Sequence, residues 1–182
     1  MLISKLDNVI DLAYWFFDKA VDENCNIDNT KTQCLIFLAQ IKYAELHEKI
    51  PLAPAVFVCD DSGIYEPNLK KILHLGRPLL PKISFSSEIN TFLNSVWNEF
   101  ASLSTEKLET LIKNFNIYRE YHQKNKKIIL DFKSLVESLN KNSKIDVINC
   151  TEKKILNSLN GPVVVSQWLP KRVSELTSKH GG

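Results

Sequence analysis

Residues able to do acid–base or metal chemistry gather at one place in this chain: Asp60, Asp61 and Glu66, with His74 the nearest histidine. Carboxylates beside an imidazole can pass a proton or hold a divalent cation, so a metal-dependent hydrolase using Asp60, Asp61 and His74 is one reading. The competing reading is conformational. In Asp60-Asp61-Ser62-Gly63 an aspartate can bond its own backbone and glycine tolerates positive φ, as a solvated turn requires. The turn is preferred. His47, His74, His122 and His180 fall in no HxH or HExxH spacing. Ser104-Thr105-Glu106-Lys107 and Ser138-Leu139-Asn140-Lys141 match SxxK, but the companion motifs of a serine–lysine acyl enzyme are missing, and Ser104 suits a helix cap better. With 5 glycines and no GxGxxG or phosphate loop, few segments can cradle a phosphate. The residues read as those of a non-enzyme, without cofactor or metal ligands.

A second cluster, Arg119-Glu120-Tyr121-His122-Gln123-Lys124-Asn125-Lys126-Lys127, interleaves aromatic and basic residues as a single-strand-binding surface does. A solvated helix junction explains it more simply, since a formal charge of +2 is small and its lysines are spread along the chain. Nucleic acid is not an expected partner. Neither is a membrane: no uncharged apolar run approaches the roughly 20 residues needed to span a bilayer, and the first residues lack the basic start and cleavage site of a signal peptide. Cys25, Cys34, Cys59 and Cys150 form no CxxC pair and no zinc-ligand spacing, so they read as free, mostly buried thiols in a cytoplasmic protein.

These groups need a scaffold, and 182 residues with 44% apolar content suffice for one domain with an extension and a self-supporting core. The expected fold class is mainly α: a compact helical domain over residues 1–116, a small antiparallel β element near 55–66, and a helical C-terminal extension over 117–182 packed on it. A first helix runs from about Asp7 to Ala20, burying Val9, Ile10, Ala13, Phe16, Phe17 and Ala20, with Tyr14 and Trp15 covered on another side. Asp28 or Asn29 caps a second, whose apolar face carries Leu35, Phe37, Leu38, Ile41, Ala44 and Leu46. Pro51 and Pro54 open an extended segment, Ala55–Cys59 reads as a strand, and Ile64-Tyr65 as its return. Glu66-Pro67 starts a short helix ending near Leu75, with Gly76 at its C-terminal cap. Ser87 and Ser104 cap two more. Ile128, Ile129, Phe132, Leu135, Val136 and Leu139 follow helical spacing, and Thr151–Leu159 reads as a last helix stopped by Asn160-Gly161-Pro162.

Against that background, Ala13-Tyr14-Trp15-Phe16-Phe17-Asp18-Lys19-Ala20 is similar to "ANYFLDKA", and Thr30-Lys31-Thr32-Gln33-Cys34-Leu35-Ile36-Phe37-Leu38-Ala39-Gln40 to "LKLQKLLYFAQ". Both strings typify the Panacea domain family, which includes SocA-like, phage-associated proteins. Gly63 and Pro67 fall where the glycine and second proline of the family's "AWKYGPVVPEVY" stand, Phe57 stands for its tryptophan, and Ile64 replaces its first proline. Leu103-Ser104-Thr105-Glu106-Lys107-Leu108 resembles the "LSAEEL" helix start. The resemblance spans Leu6 to Lys113; the "TH…PW" ending is missing. It implies a non-enzymatic antitoxin that binds and neutralises a cognate toxin, in some members as an adaptor delivering it to a protease. It also implies Phe57, Gly63, Tyr65 and Pro67 as partner-binding residues, although Phe57 and Tyr65 equally suit a core. The alternatives are a general protein–protein interaction module of phage or effector origin using residues 118–182, and the hydrolase above.

Overall fold

A helix whose residues are buried without a break from Thr32 to Ile41 has to be surrounded on all sides, and that is the place of α2, Asn29–Leu46. The computed structural model describes residues 4–140, 154–158 and 161–165. Asp28 caps α2, accepting the Lys31 amide at 2.6 Å. Against α2 pack α1 (Val9–Asp22), α3 (Pro67–Leu73), α4 (Ser87–Phe100), α5 (Thr105–Lys113) and α7 (Phe132–Asn140); α6 (Asn116–Tyr121) packs on α5 and α7. The protein is mainly helical with a small antiparallel sheet, as its residue pattern predicts.

That sheet has the order β2-β1-β3, from β1 (Phe57–Asp60), β2 (Gly63–Tyr65) and β3 (Ile128–Leu130). The two strands near 55–66 are the expected pair, with Val58 opposite Tyr65 and Asp60 opposite Gly63. The third is a correction. The spacing of Ile128 and Ile129 with Phe132, Leu135 and Val136 predicts one amphipathic helix, whereas Ile128–Leu130 lie beside β1, Leu130 opposite Phe57. A turn with Asn125 at φ +61° feeds the strand, and β-branched Ile128 and Ile129 suit a pleated edge better than a helix start. Burial then alternates, Ile129 being 70% exposed and Leu130 2%.

Hydrophobic burial follows the helical faces elsewhere, with small shifts. Trp15 and Tyr14 are buried along with Phe16, so α1 is covered on more than one side. Phe37, fully buried, meets Phe57 edge-on at 5.3 Å and Phe115 at 6.1 Å; burying such a ring stabilises by roughly 1.5–3 kcal/mol. Leu46, expected on the apolar face of α2, is exposed in the last turn. Ser86, not Ser87, caps α4, while Ser104 caps α5 as expected.

Two buried glutamines tie the sheet to the central helix. Gln40 donates to the Ala53 carbonyl at 2.6 Å and accepts the Ala53 amide at 3.1 Å. Gln33, two turns earlier, does the same to Glu66, with both bonds at 3.0 Å. Each side-chain amide thereby satisfies a backbone N–H and C=O that helix and sheet leave over.

The chain divides into two units, Met1–Ser143 and Lys144–Gly182. Residues 117–140, assigned from sequence to the extension, lie in the first, where β3 pairs with β1 and α7 packs on α2. In the second, β4 (Lys154–Ser158) pairs antiparallel with β5 (Gly161–Val165), Ile155 opposite Val164. The helix expected over Thr151–Leu159 is therefore a strand in its described part. The run Val163-Val164-Val165 offers a strand partner, and the gain from pairing overrides the local helical spacing. Cys150 and the Ser138-Leu139-Asn140-Lys141 side chains lie outside the described residues.

Replacing Gln40 by leucine keeps the bulk but strands the Ala53 amide and carbonyl. We expect Gln40→Leu to lose about 2–4 kcal/mol of unfolding free energy in urea titrations, and an exposed control such as Thr91→Ala to lose far less.

Candidate functional site

The Gln33–Glu66 junction sits between two surface clefts. The first, about 180 Å³, is bounded by the start of α2, by β2, and by α3 and α5; Thr30, Gln33, Gly63, Tyr65, Lys70 and His74 line it. The second, about 470 Å³, lies between the start of α1 and the segment before β1, with Asn8, Ile10, Pro51, Val56, Glu66 and Phe132 on its walls. Of the four residues singled out for partner binding, Gly63 and Tyr65 reach the first cleft. Phe57 is 2% exposed and lines neither; it supports β1 from beneath through Phe37. Pro67 is half-buried at the start of α3.

Local chemistry explains each placement. Gly63 has φ +126°, and a Cβ there would meet the Lys113 side chain at 4.0 Å, so the turn admits glycine for conformational reasons first. Glu66 is 2% exposed and caps α3, accepting the Leu69 amide at 2.5 Å and the Asn68 side-chain amide at 3.1 Å. Pro67 at the first helical position has no N–H to lose. Lys70 lies over the Tyr65 ring, 4.3 Å from its centroid.

The aspartates serve the turn. Asp60 accepts the Ser62 amide at 2.8 Å, the Ser62 hydroxyl at 2.6 Å and the Tyr65 hydroxyl at 2.7 Å. Burial pushes its carboxyl up, but those donors outweigh burial and hold it below its ordinary value. Tyr65 moves the other way, raised by burial and then by the bond to Asp60. Asp61 receives the Asn125 amide at 3.0 Å and meets His122 Nε2 at 2.8 Å; the Asn125 amide first, and His122 next, hold its carboxyl low. The His122 ring stacks on Tyr118, with centroids 4.9 Å apart. His122, within the basic aromatic segment, is thus the imidazole that Asp61 engages, while His74 lies in the cleft.

A catalytic reading meets these arrangements directly. Among the described residues no group of three His, Cys, Asp or Glu side chains could hold a metal ion. Burial pushes the Cys34 thiol, which borders the first cleft, up to about 12, so it stays protonated at neutral pH; Cys59 is pushed up to about 11 by burial. Ser104 is occupied as a helix cap, accepting the Lys107 amide at 3.3 Å. Cys25 is exposed. No helix among the described residues is long and apolar enough to cross a membrane.

Sequence reasoning missed the anchoring roles of Gln33 and Gln40 and the pairing of His122 with Asp61. The glutamines carried a readable signal, two amides seven residues apart inside an otherwise apolar helix. The Asp61–His122 pair spans 61 positions and follows from the β1–β3 pairing that the helical spacing concealed. Comparison with family models, curated proteins and solved structures gives no match for this chain.

Asp60 and Asp61 have carboxyls lower in the folded chain than unfolded, so the stability they contribute is present above the unfolded value, about pH 3.9, and is lost as pH falls through the folded values. Urea midpoints of the wild type should hold between pH 7 and pH 5 as far as these groups are concerned and fall below about pH 4. Asp61→Asn should show a shallower fall over that acid window.

Proposed function

We propose that this chain is a non-enzymatic, antitoxin-like protein that neutralises a cognate toxin by direct binding, with delivery of the toxin to a protease as a further step that the Panacea resemblance allows. One observation carries the reading. Gln33 and Gln40 are the two glutamines of the segment similar to "LKLQKLLYFAQ"; Gln33 bonds Glu66, inside the stretch matched to "AWKYGPVVPEVY", and Gln40 bonds Ala53, four residues before that stretch begins at Phe57. These two of the resembling stretches are thus joined, and both border the first cleft.

Binding of this kind requires a preorganised surface and no reactive group. Gly63, Tyr65 and Pro67 lie on a turn and helix start whose backbone is fixed by Gln33, Asp60 and Glu66, so little order remains to be imposed on association. Phe57 belongs to the same unit as its buried support.

The test is a pull-down of the tagged full chain from its native cell, with co-purifying proteins identified by mass spectrometry. The expected result is a stoichiometric partner, encoded beside this protein, that arrests growth when expressed alone and is harmless when the two are co-expressed. A harmless neighbour that does not associate with the chain contradicts the proposal.

A further inference from the structure

Between Pro67 and Ser87 the sequence holds Lys70, Lys71, Arg77 and Lys82 and no Asp or Glu. Inside that span lie three exposed leucines: Leu75 at 87%, Leu79 at 105% and Leu80 at 57% of full exposure. Scattered exposed leucines need no explanation. Three within six residues, on a segment held fixed, do.

The segment is held by α1. Arg77 makes a two-pronged bond to Asp18, Nε to Oδ1 and Nη2 to Oδ2, both at 2.9 Å. Its remaining donors reach the Pro78 carbonyl at 2.8 Å and the Pro81 carbonyl at 3.1 Å, so the guanidinium gathers both ends of Pro78-Leu79-Leu80-Pro81. Arg77 also lies 5.0 Å from the Tyr14 ring centroid. Asp18 takes the Ile83 amide at 3.1 Å, and Lys82 pairs with Asp22. Gly76, at φ +77°, turns the chain out of α3 toward this anchor. Prolines limit the freedom of the loop before anything binds it.

The geometry points to the knuckle formed by Leu75, Leu79 and Leu80 as a docking element for a partner protein with an apolar groove and an acidic rim. Charge complementarity decides the rim. Asp18 and Asp22 pair with Arg77 and Lys82, and Lys70 lies over the Tyr65 ring, which leaves the exposed Lys71, four residues before Leu75, to meet a carboxylate across an interface. Preorganised aliphatic anchors suit a groove, because the entropy of ordering the loop is already spent. This inference rests on the reading that the chain works by binding protein; it does not require that the partner be a toxin.

The test places a benzophenone photo-crosslinking amino acid at position 79 of the full chain in its native cell, with position 133 as the control. We expect one protein adduct from position 79 and none from 133, with the crosslinked peptide of that protein apolar and flanked by Asp or Glu. Adduct yield should drop roughly two- to fivefold in Lys71→Glu. No adduct, an adduct to a second copy, or a yield indifferent to the charge reversal overturns the proposal. So does binding to vesicles of phosphatidylserine and phosphatidylcholine that is lost in Leu79→Ser/Leu80→Ser. A toxic neighbour that binds wild type and Leu79→Ser/Leu80→Ser equally removes the docking element and leaves the antitoxin reading standing. A charge-sensitive adduct with a harmless protein does the reverse.

Discussion

A glutamine side chain offers the same donor and acceptor as a peptide group, and the first unit of this protein is organised around two that are used that way. Gln40 and Gln33 are almost fully buried on the central helix, where an unpaired amide is costly to leave, so extended backbone must run past each of them. Ala53 meets the first and Glu66 the second. With both ends of that segment fixed, β1 and β2 have a defined place over α2. Glu66, positioned by its backbone, is free to use its side chain as the cap of α3. The direction of α3 and the exit at Gly76 follow from one buried junction.

The same dependence separates what was legible in the sequence from what was not. Apolar spacing and capping residues located α1, α2, α4 and α5, because those signals act over one or two turns and the core agrees with them. Turn chemistry at Asp60-Asp61-Ser62-Gly63 located the β1–β2 hairpin, where Asp60 accepts the Ser62 amide and Asp61 the Asn125 amide. Ile128–Leu130 misled because apolar residues at 128, 129, 132, 135 and 136 fit a helix locally, while a β1 edge 70 residues away was waiting for a partner. Lys154–Ser158 misled for the same reason, with its partner at Gly161–Val165. Strand pairing is non-local, and periodicity within one segment does not register it.

The candidate site was legible in part. Gly63 and Tyr65 were found through turn chemistry and resemblance, and both face the first cleft. Phe57 was singled out for its aromatic character, which serves equally to fill a core, and burial against Phe37 is where its ring lies. The exposed leucines passed unnoticed because Pro78-Leu79-Leu80-Pro81 reads as a plain loop until the Arg77–Asp18 pair, 59 residues apart, shows that it is held. Long-range ion pairing, like strand pairing, turns an unremarkable stretch into a shaped surface.

Everything functional in this account concerns one face: the β2 turn, α3 and the segment leading to Pro81. Hydrogen exchange read by mass spectrometry, on the full chain alone and in complex with its co-purifying partner, tests that most directly. Slowed exchange is expected on binding across peptides covering residues 62–82, with the α4 amides unchanged. Slowed exchange confined to the segment 116–130, or no change anywhere in a demonstrably formed complex, would contradict it.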